Sequence, residues 1–302
     1  MDKKEQVKEY LRDHPNEQTA VIADALGVSR RTVRRARQEA REATGMPRIL
    51  LFDVETAPME CYIWSLFQKG PIHEQNIVKD WSVLCWAAKW LYDSRVYHAT
   101  VTTAEATERN DTSILESMWS LMDEADIVIA HNAAKFDVRK MNLRFLKAHL
   151  PPPKPYQVVD TLKQAQKFFA ASSHKLDSLA AFLNIARKGE SNFSLWKRSV
   201  TGDSNALAEL TEYCMQDVVV LEELYTKLRP WIKSHPNMGL YIDTDKTVCP
   251  NCGSDNLNWQ GYYYTNSGKY RAFRCECGAV GRSRHSDVSE SKSKTLVVPT
   301  AR

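Results

Sequence analysis

The spacing of apolar residues changes character near residue 48. Before it the repeat is helical. "KKEQVKEYLRDH" puts Val7, Tyr10 and Leu11 on one face and meets a stop at Pro15. "QTAVIADALG" gathers Val21, Ile22, Ala25 and Leu26, with Gly27 as a C-terminal stop. "SRRTVRRARQEAREA" opens at Ser29, a good N-cap, and sets Arg30, Arg31, Arg34, Arg35 and Arg37 around Val33 and Ala36. These predict a small all-α domain over residues 1–45, with "ATGMP" at 43–47 as its boundary.

From residue 48 unbroken apolar runs alternate with helical patterns. "RILLFDVE", "SVLCWAAKWL" and "RVYHATV" predict three strands, the last two joined by a hairpin around Tyr92–Ser94. A helix "SILESMWSLMDEA", a strand "DIVIAHN" and a helix "AKFDVRKMNLRFLKAH" follow. The prolines at 151–155 then break the chain before a short strand, "YQVVDTLK". "KLDSLAAFLNI" and "NALAELTEYCMQDVVVLEELYTKL" are helical, the second long. Early strands followed by alternating helices and strands predict an α/β class, a mixed sheet with helices packed on it.

One strand breaks the pattern. "RILLFDVETAP" carries Asp53 and Glu55 inside an apolar run, and side chains two apart on a strand share a face. Two adjacent carboxylates repel, and burying them unpaired costs several kcal/mol each. Either a cation sits between them or the strand end is open to water. "HNAAKFD" sets Asp137 in the first turn of the helix after a buried strand, where sites of α/β sheets gather. "YCMQD" sets Tyr213 and Asp217 four apart, on one helix face. The four carboxylates would therefore converge at one edge of the sheet.

Composition adds little. Residues 1–45 carry ten basic and eight acidic side chains, residues 246–302 nine and four, so the acidic balance falls in the middle. Basic ends suit nucleic acid and an acidic centre suits metal, although ordinary surface charge explains such small numbers equally well. No apolar run approaches the roughly 18 residues of a membrane span, and "MDKKEQVKEY" does not read as a signal peptide. Seven cysteines, three scattered and four in tight pairs, argue for a reducing, cytoplasmic setting and a metal site over a disulfide framework.

"FDVET", "HNAAKFD" and "YCMQD", in this order and spacing, resemble the DEDD superfamily of 3′→5′ exonucleases, whose fold is ribonuclease H-like. The resemblance covers roughly residues 46–235 and includes "VVDTLKQAQKFF…SSHKLDSLAAFLN" before the third motif. Tyr213, four before the last aspartate, is similar to the DEDDy branch, which includes the proofreading domains of B-family polymerases. The histidine of the DEDDh branch would fall at Glu212. The resemblance implies that Asp53, Glu55 and Asp217 hold a first Mg²⁺ or Mn²⁺, with Asp53 bridging to a second ion that Asp137 holds partly through water. It also implies that Tyr213 orients the attacking water and that Asn132 touches the substrate strand. Hard oxygen ligands and a two-ion arrangement suit phosphodiester hydrolysis on chemical grounds as well. Taken singly, Asp137 reads equally as a helix-start carboxylate, Tyr213 as packing and Asp217 as a partner for a surface lysine. Asp160 reads as a strand-end cap, and Lys175 as a phosphate contact or a solvated lysine.

The N-terminal helix, "GVS" turn and arginine-rich helix resemble a helix-turn-helix, whose second helix enters the DNA major groove. The other reading is a helical domain with a solvated basic face. At the far end, "CPNCG" (Cys249, Cys252) and "CECG" (Cys275, Cys277) flank 22 residues and resemble a zinc ribbon over 246–284, one Zn²⁺ held by four cysteines. Its interleaved tyrosines and cations read equally as a single-strand binding surface or as core packing. The tail 285–302, rich in Ser and charge, is expected to be disordered.

The combined expectation is a metal-dependent exonuclease over 46–240 acting on nucleic acid, DNA favoured, without membrane attachment. Rivals are an exoribonuclease or endonuclease of the same fold, and a DNA-binding regulator with an inactive nuclease-like domain.

Overall fold

The computed structural model describes the chain except for residues 1, 14–18, 34, 37–38, 40–44, 68–69, 186–191, 299 and 301–302. The chain forms two compact units, Met1–Ala40 with Arg48–Tyr225, and Arg41–Pro47 with Thr226–Arg302.

The first unit begins with helices α1 (Lys3–Asp13) and α2 (Thr19–Leu26). Gly27 has φ +59°, and the Gly27 and Val28 amides donate to the Asp24 and Ala23 carbonyls, closing α2 with a left-handed stop. Ser29 Oγ accepts from the Thr32 amide at 3.1 Å, and residues 30–33 are helical. Val7, Leu11, Ile22, Ala23, Val33 and Ala36 form one buried cluster. The expected face of α2 is corrected: Ile22 and Ala23 are buried while Val21 is 42% exposed and Ala25 lies outward. Pro15, Arg34 and Arg37 lie outside the described residues.

The sheet is the expected ribonuclease H-like one, five strands flanked by helices. Strand β1 is Ile49–Thr56; after the small pair β2 (Glu60–Cys61) and β3 (Ile77–Lys79) come β4 (Val83–Trp90) and β5 (Tyr97–Thr100). Helices α3 (Thr103–Glu108) and α4 (Thr112–Glu124), strand β6 (Ile127–Ala130), helix α5 (Asp137–Lys147) and strand β7 (Gln157–Asp160) follow. The order across the sheet is β5-β4-β1-β6-β7. Strand β4 is antiparallel to both β5 and β1, and β6 is parallel to both β1 and β7. Central strands covered on both faces read as continuous apolar runs, which is why Ile49–Phe52 and all of β4 and β6 are buried. Each fully buried Leu or Phe there contributes roughly 1.5–3 kcal/mol. The cation within β4, Lys89, is offset by an ion pair with Glu222.

Helices α6 (Thr161–Phe168), α7 (Leu176–Phe182), α8 (Phe193–Val200) and α9 (Ser204–Leu228) complete the first unit, α9 running on into the second. The apolar spacing did not predict α3, α6 or α8, and the expected strand "YQVVDTLK" ends at Asp160, with Thr161–Lys163 opening α6. Helices α3 and α8 carry start signals: Thr102 and Glu105 form a capping box on α3, and Asn192 caps α8 by accepting from the Ser194 amide.

In the second unit, β8 (Leu257–Tyr264), β9 (Lys269–Cys275) and β10 (Val280–Arg282) form an antiparallel sheet in the order β10-β9-β8. The segment expected to be disordered carries local structure. Asp287 N and Ser286 Oγ donate to the Lys269 carbonyl, and Glu290–Ser293 form a short helix, α10, capped by Ser289.

Candidate active site and thiol cluster

The edge that collects the carboxylates follows from strand lengths. Pairing between β1 and β6 ends at Leu51 and Ile129, whereas β1 stays paired with β4 through Asp53–Ala87 and Glu55–Cys85. Asp53 and Glu55 therefore stand past the last β6 pairing, on the side where β6 and β7 also end. Carboxylate oxygens of Asp53, Glu55 and Asp217 all lie within 4.8 Å of one another, Asp217 reaching in from α9. Asp137, the first residue of α5, is 2% exposed, and its Oδ2 is buried with no hydrogen-bond partner.

Burial is the main force on these acids, and their mutual charge adds to it. Asp53 is pushed up to about 6 by burial, opposed by the Cys214 thiol and the Val54 amide. Glu55 rises well above the carboxylate range through burial and then the charges of Asp53, Cys85 and Asp217. Asp137 rises likewise, through burial and then Asp53. A group of acids that resists ionisation in this way is what a bound cation would relieve. Oxygens about 2.0–2.1 Å from one Mg²⁺ lie within about 4.2 Å of each other, so the observed cluster needs little adjustment to fit a hard divalent ion.

Neighbours absent from the sequence reading hold this edge. Trp196 of α8 donates its indole N–H to Glu55 Oε2 at 3.1 Å and packs edge-on to Tyr213, ring centres 6.0 Å apart. Cys214, fully buried, donates its thiol toward Asp53 Oδ2 at 3.4 Å. Sequence did hold one signal for it: Cys214 lies three before Asp217 on the same helix. Asp160 accepts from the Asn132 amide (3.1 Å), the Ala134 amide (3.1 Å) and the Lys163 amide (3.2 Å). It ends β7, where a strand-end cap was expected, but its side chain serves as the N-cap of α6 and also clamps the turn in which Asn132 adopts φ +82°. His131, kept toward its neutral form by burial, bridges Thr161 Oγ1 and the His174 carbonyl at 2.9 and 2.8 Å. Lys175 is exposed at the start of α7.

In the N-terminal helices, Arg31 and Arg35 are exposed, Arg35 Nε lying 3.4 Å from Glu39, while Arg30 pairs with Glu116 of α4. Exposed pairs of this kind contribute little and yield readily to a phosphate.

In the second unit, sulfurs of Cys249, Cys252, Cys275 and Cys277 lie within 4.8 Å of one another. Cys249 and Cys277 are 3.8 Å apart, Cys252 and Cys275 3.6 Å. Four thiolates about 2.3 Å from one tetrahedral Zn²⁺ would be roughly 3.8 Å apart, so the donor set and spacing fit zinc. Both knuckles turn on glycines with positive φ, Gly253 (+82°) and Gly278 (+87°), whose amides donate back to the Cys249 and Cys275 carbonyls. Burial pushes the Cys249 thiol up to about 11, so holding it as thiolate calls for a cation.

Residues 86–229 match the family RNase_H_2, described as RNase_H superfamily. That span includes Asp137, Tyr213 and Asp217 and begins after the strand bearing Asp53 and Glu55. Among solved structures, the family B DNA polymerase from the hyperthermophilic archaeon Pyrobaculum calidifontis aligns at 18% identity and a TM-score of 0.43. The alignment covers 61% of this chain and 25% of the polymerase, a likeness too distant to bear on function. No curated protein matches the sequence. Among the described residues, no helix is long and apolar enough to cross a membrane.

Proposed function

We propose that the chain is a metal-dependent 3′→5′ exonuclease that releases nucleoside 5′-monophosphates from nucleic acid, DNA favoured. The observation that carries this is the convergence of Asp53, Glu55 and Asp217 within 4.8 Å at a sheet edge, beside a buried Asp137 with an unpartnered oxygen. The family match over residues 86–229 supports a nuclease; the polarity and the DEDDy assignment rest on the resemblance of "FDVET", "HNAAKFD" and "YCMQD".

In this reading Asp53, Glu55, Asp137 and Asp217 would hold two Mg²⁺ or Mn²⁺ ions, which would supply an activated water and offset charge on the attacking and leaving oxygens. Tyr213 directs its hydroxyl at the attacking water. An ordinary phenol pKa of about 10 makes it an orienting donor and acceptor and a poor base. Trp196 holds Glu55 and Tyr213 in register, and Cys214 holds Asp53. Asn132 and Lys175 contact the substrate strand. Residues 1–45 act as a helix-turn-helix DNA-binding domain through Arg30, Arg31, Arg34 and Arg35, residues 246–284 as a zinc ribbon, and the setting is cytoplasmic and reducing.

The test is incubation of the zinc-loaded chain with 3′- and 5′-labelled DNA and RNA oligonucleotides in Mg²⁺, Mn²⁺ or chelator. Stepwise mononucleotide release from the 3′ end, lost in chelator, is expected. Internal cuts would replace the exonuclease reading with an endonuclease, a preference for RNA would reassign the substrate, and no cleavage of either would favour the regulator.

A further inference from the structure

The hairpin of the second unit has an unusual surface. Strands normally turn one face inward, yet Tyr262, Tyr263 and Tyr264 are 47%, 53% and 65% exposed, so neither face of the outer hairpin is core. The buried cluster stays at the thiol end, with Cys249, Phe273, Cys275 and Ala279. Core packing therefore does not account for the tyrosines.

Cations are set against these rings on both faces. On one, Lys269 Nζ lies 3.8 Å from the centre of the Tyr262 ring. On the other, Tyr263 pairs across the strands with Tyr270, and the Arg282 guanidinium sits 3.8 Å from the Tyr270 ring centre and 5.6 Å from that of Tyr263. From residue 257 to 284 the chain carries five Lys or Arg and one carboxylate, Glu276. That carboxylate lies in the second knuckle, where it accepts from Ser254 Oγ and Asn256 Nδ2. The outer hairpin is thus an aromatic surface with an excess of cations, although Asp287 lies against the Lys269 backbone at its edge.

We infer that this hairpin is a binding platform for single-stranded nucleic acid. Exposed aromatic rings offer π-faces that every base can stack on, and the guanidinium and ammonium groups beside them meet phosphates. A single strand fits better than a duplex. Tyr262 and Tyr264 have ring centres 6.4 Å apart and planes tilted by 51°, so the two rings do not match the parallel ~3.4 Å stack of a duplex strand and suit bases that are unstacked from one another. A duplex does not present such bases. The contact is sequence-tolerant, because no hydrogen-bonding edge of a base is read.

The test uses the full zinc-loaded chain with Asp217→Asn, so that the strand is not consumed, and a fluorescein-labelled 12-mer of thymidine followed by anisotropy. Tyr263→Ala and Tyr264→Ala should each weaken binding about five-fold or more, with Phe at the same positions restoring it. Arg282→Ala should lower the slope of log affinity against log salt by about 0.7. Affinity for a blunt duplex should be unchanged by the tyrosine substitutions. Zinc content of one per chain and an unchanged melting temperature show that each variant is folded. Folded, zinc-loaded variants that bind oligothymidine as tightly as the parent would overturn the inference. So would a loss of duplex affinity equal to the single-strand loss. Because the readout is binding alone, its outcome is independent of whether the chain hydrolyses nucleic acid.

Discussion

Two clusters of anionic ligands in this chain are supported in opposite ways. Asp53 and Glu55 stand on the central strand of a sheet whose core, including Leu50, Leu51, Phe52, Trp86 and Ile127, is built without them. Cys249 and Cys275 are half of the four buried residues that make up their own cluster, the others being Phe273 and Ala279. A cation at the first place would relieve repulsion within a scaffold that exists already. At the second it would supply the cohesion that so small a unit cannot gain from apolar burial. On the proposed function, a metal would serve chemistry in one unit and folding in the other.

The largest effect should come from breaking the second cluster. Cys249→Ser is expected to drop zinc from one per chain to none and to abolish amide protection across Leu257–Cys275. Structural zinc in such units has an apparent worth of about 10–16 kcal/mol. Protection within β1, β4 and β6 should persist in the same hydrogen-exchange experiment. Full protection of the hairpin without zinc would end the contrast.

Next is Asp217→Ala, which should cut metal-dependent nucleotide release about 10²–10³-fold or more while leaving the circular dichroism spectrum intact. Activity near the parent level at saturating Mg²⁺ would remove the carboxylates from the chemistry. Tyr213→Phe should slow turnover by roughly ten-fold to a hundred-fold with Mn²⁺ affinity unchanged. An equal loss of Mn²⁺ affinity would make the tyrosine a ligand or a support for one.

The smallest effect concerns the scaffold without divalent cations. The folded pKa of Asp53, about 6, lies above the ordinary carboxylate value, so the fold favours the protonated form. Its contribution to stability is fully present below about pH 4 and is lost as pH rises through about 6. Asp53→Asn removes the charge and should raise the melting temperature of the divalent-free protein at pH 7.5 by about 2–4 °C, some 1 kcal/mol. It should also flatten the difference between pH 5 and pH 7.5. Destabilisation at pH 7.5 would mean that Asp53 is held by a favourable partner and that the acids are not poised for a cation.

Much of the sheet was legible because its central strands are buried on both faces and so read as uninterrupted apolar runs. Periodicity placed part of the α2 face correctly, Ile22 and Leu26 turning inward as expected, but Ala23 joins them where Val21 and Ala25 were expected. Helix α8 was overlooked although Asn192 marks its start, and with it went Trp196. The partners of Trp196 and Cys214 lie 141 and 161 residues away in the chain, on β1, and no local pattern connects such pairs.

The residue types and their order were set by the sequence alone: four carboxylates and a tyrosine distributed over a strand and two helices, and two cysteine pairs flanking an aromatic stretch. Local chemistry suffices there, because strand period, helix period and the knuckle glycines depend only on neighbours. Which oxygens meet was decided in three dimensions. The end of β6 pairing at Leu51 opens the edge beside Asp53, and α9 brings Asp217 to it. The exposure of the three tyrosines was decided there too, because a residue is surface or core only by what the rest of the chain leaves uncovered.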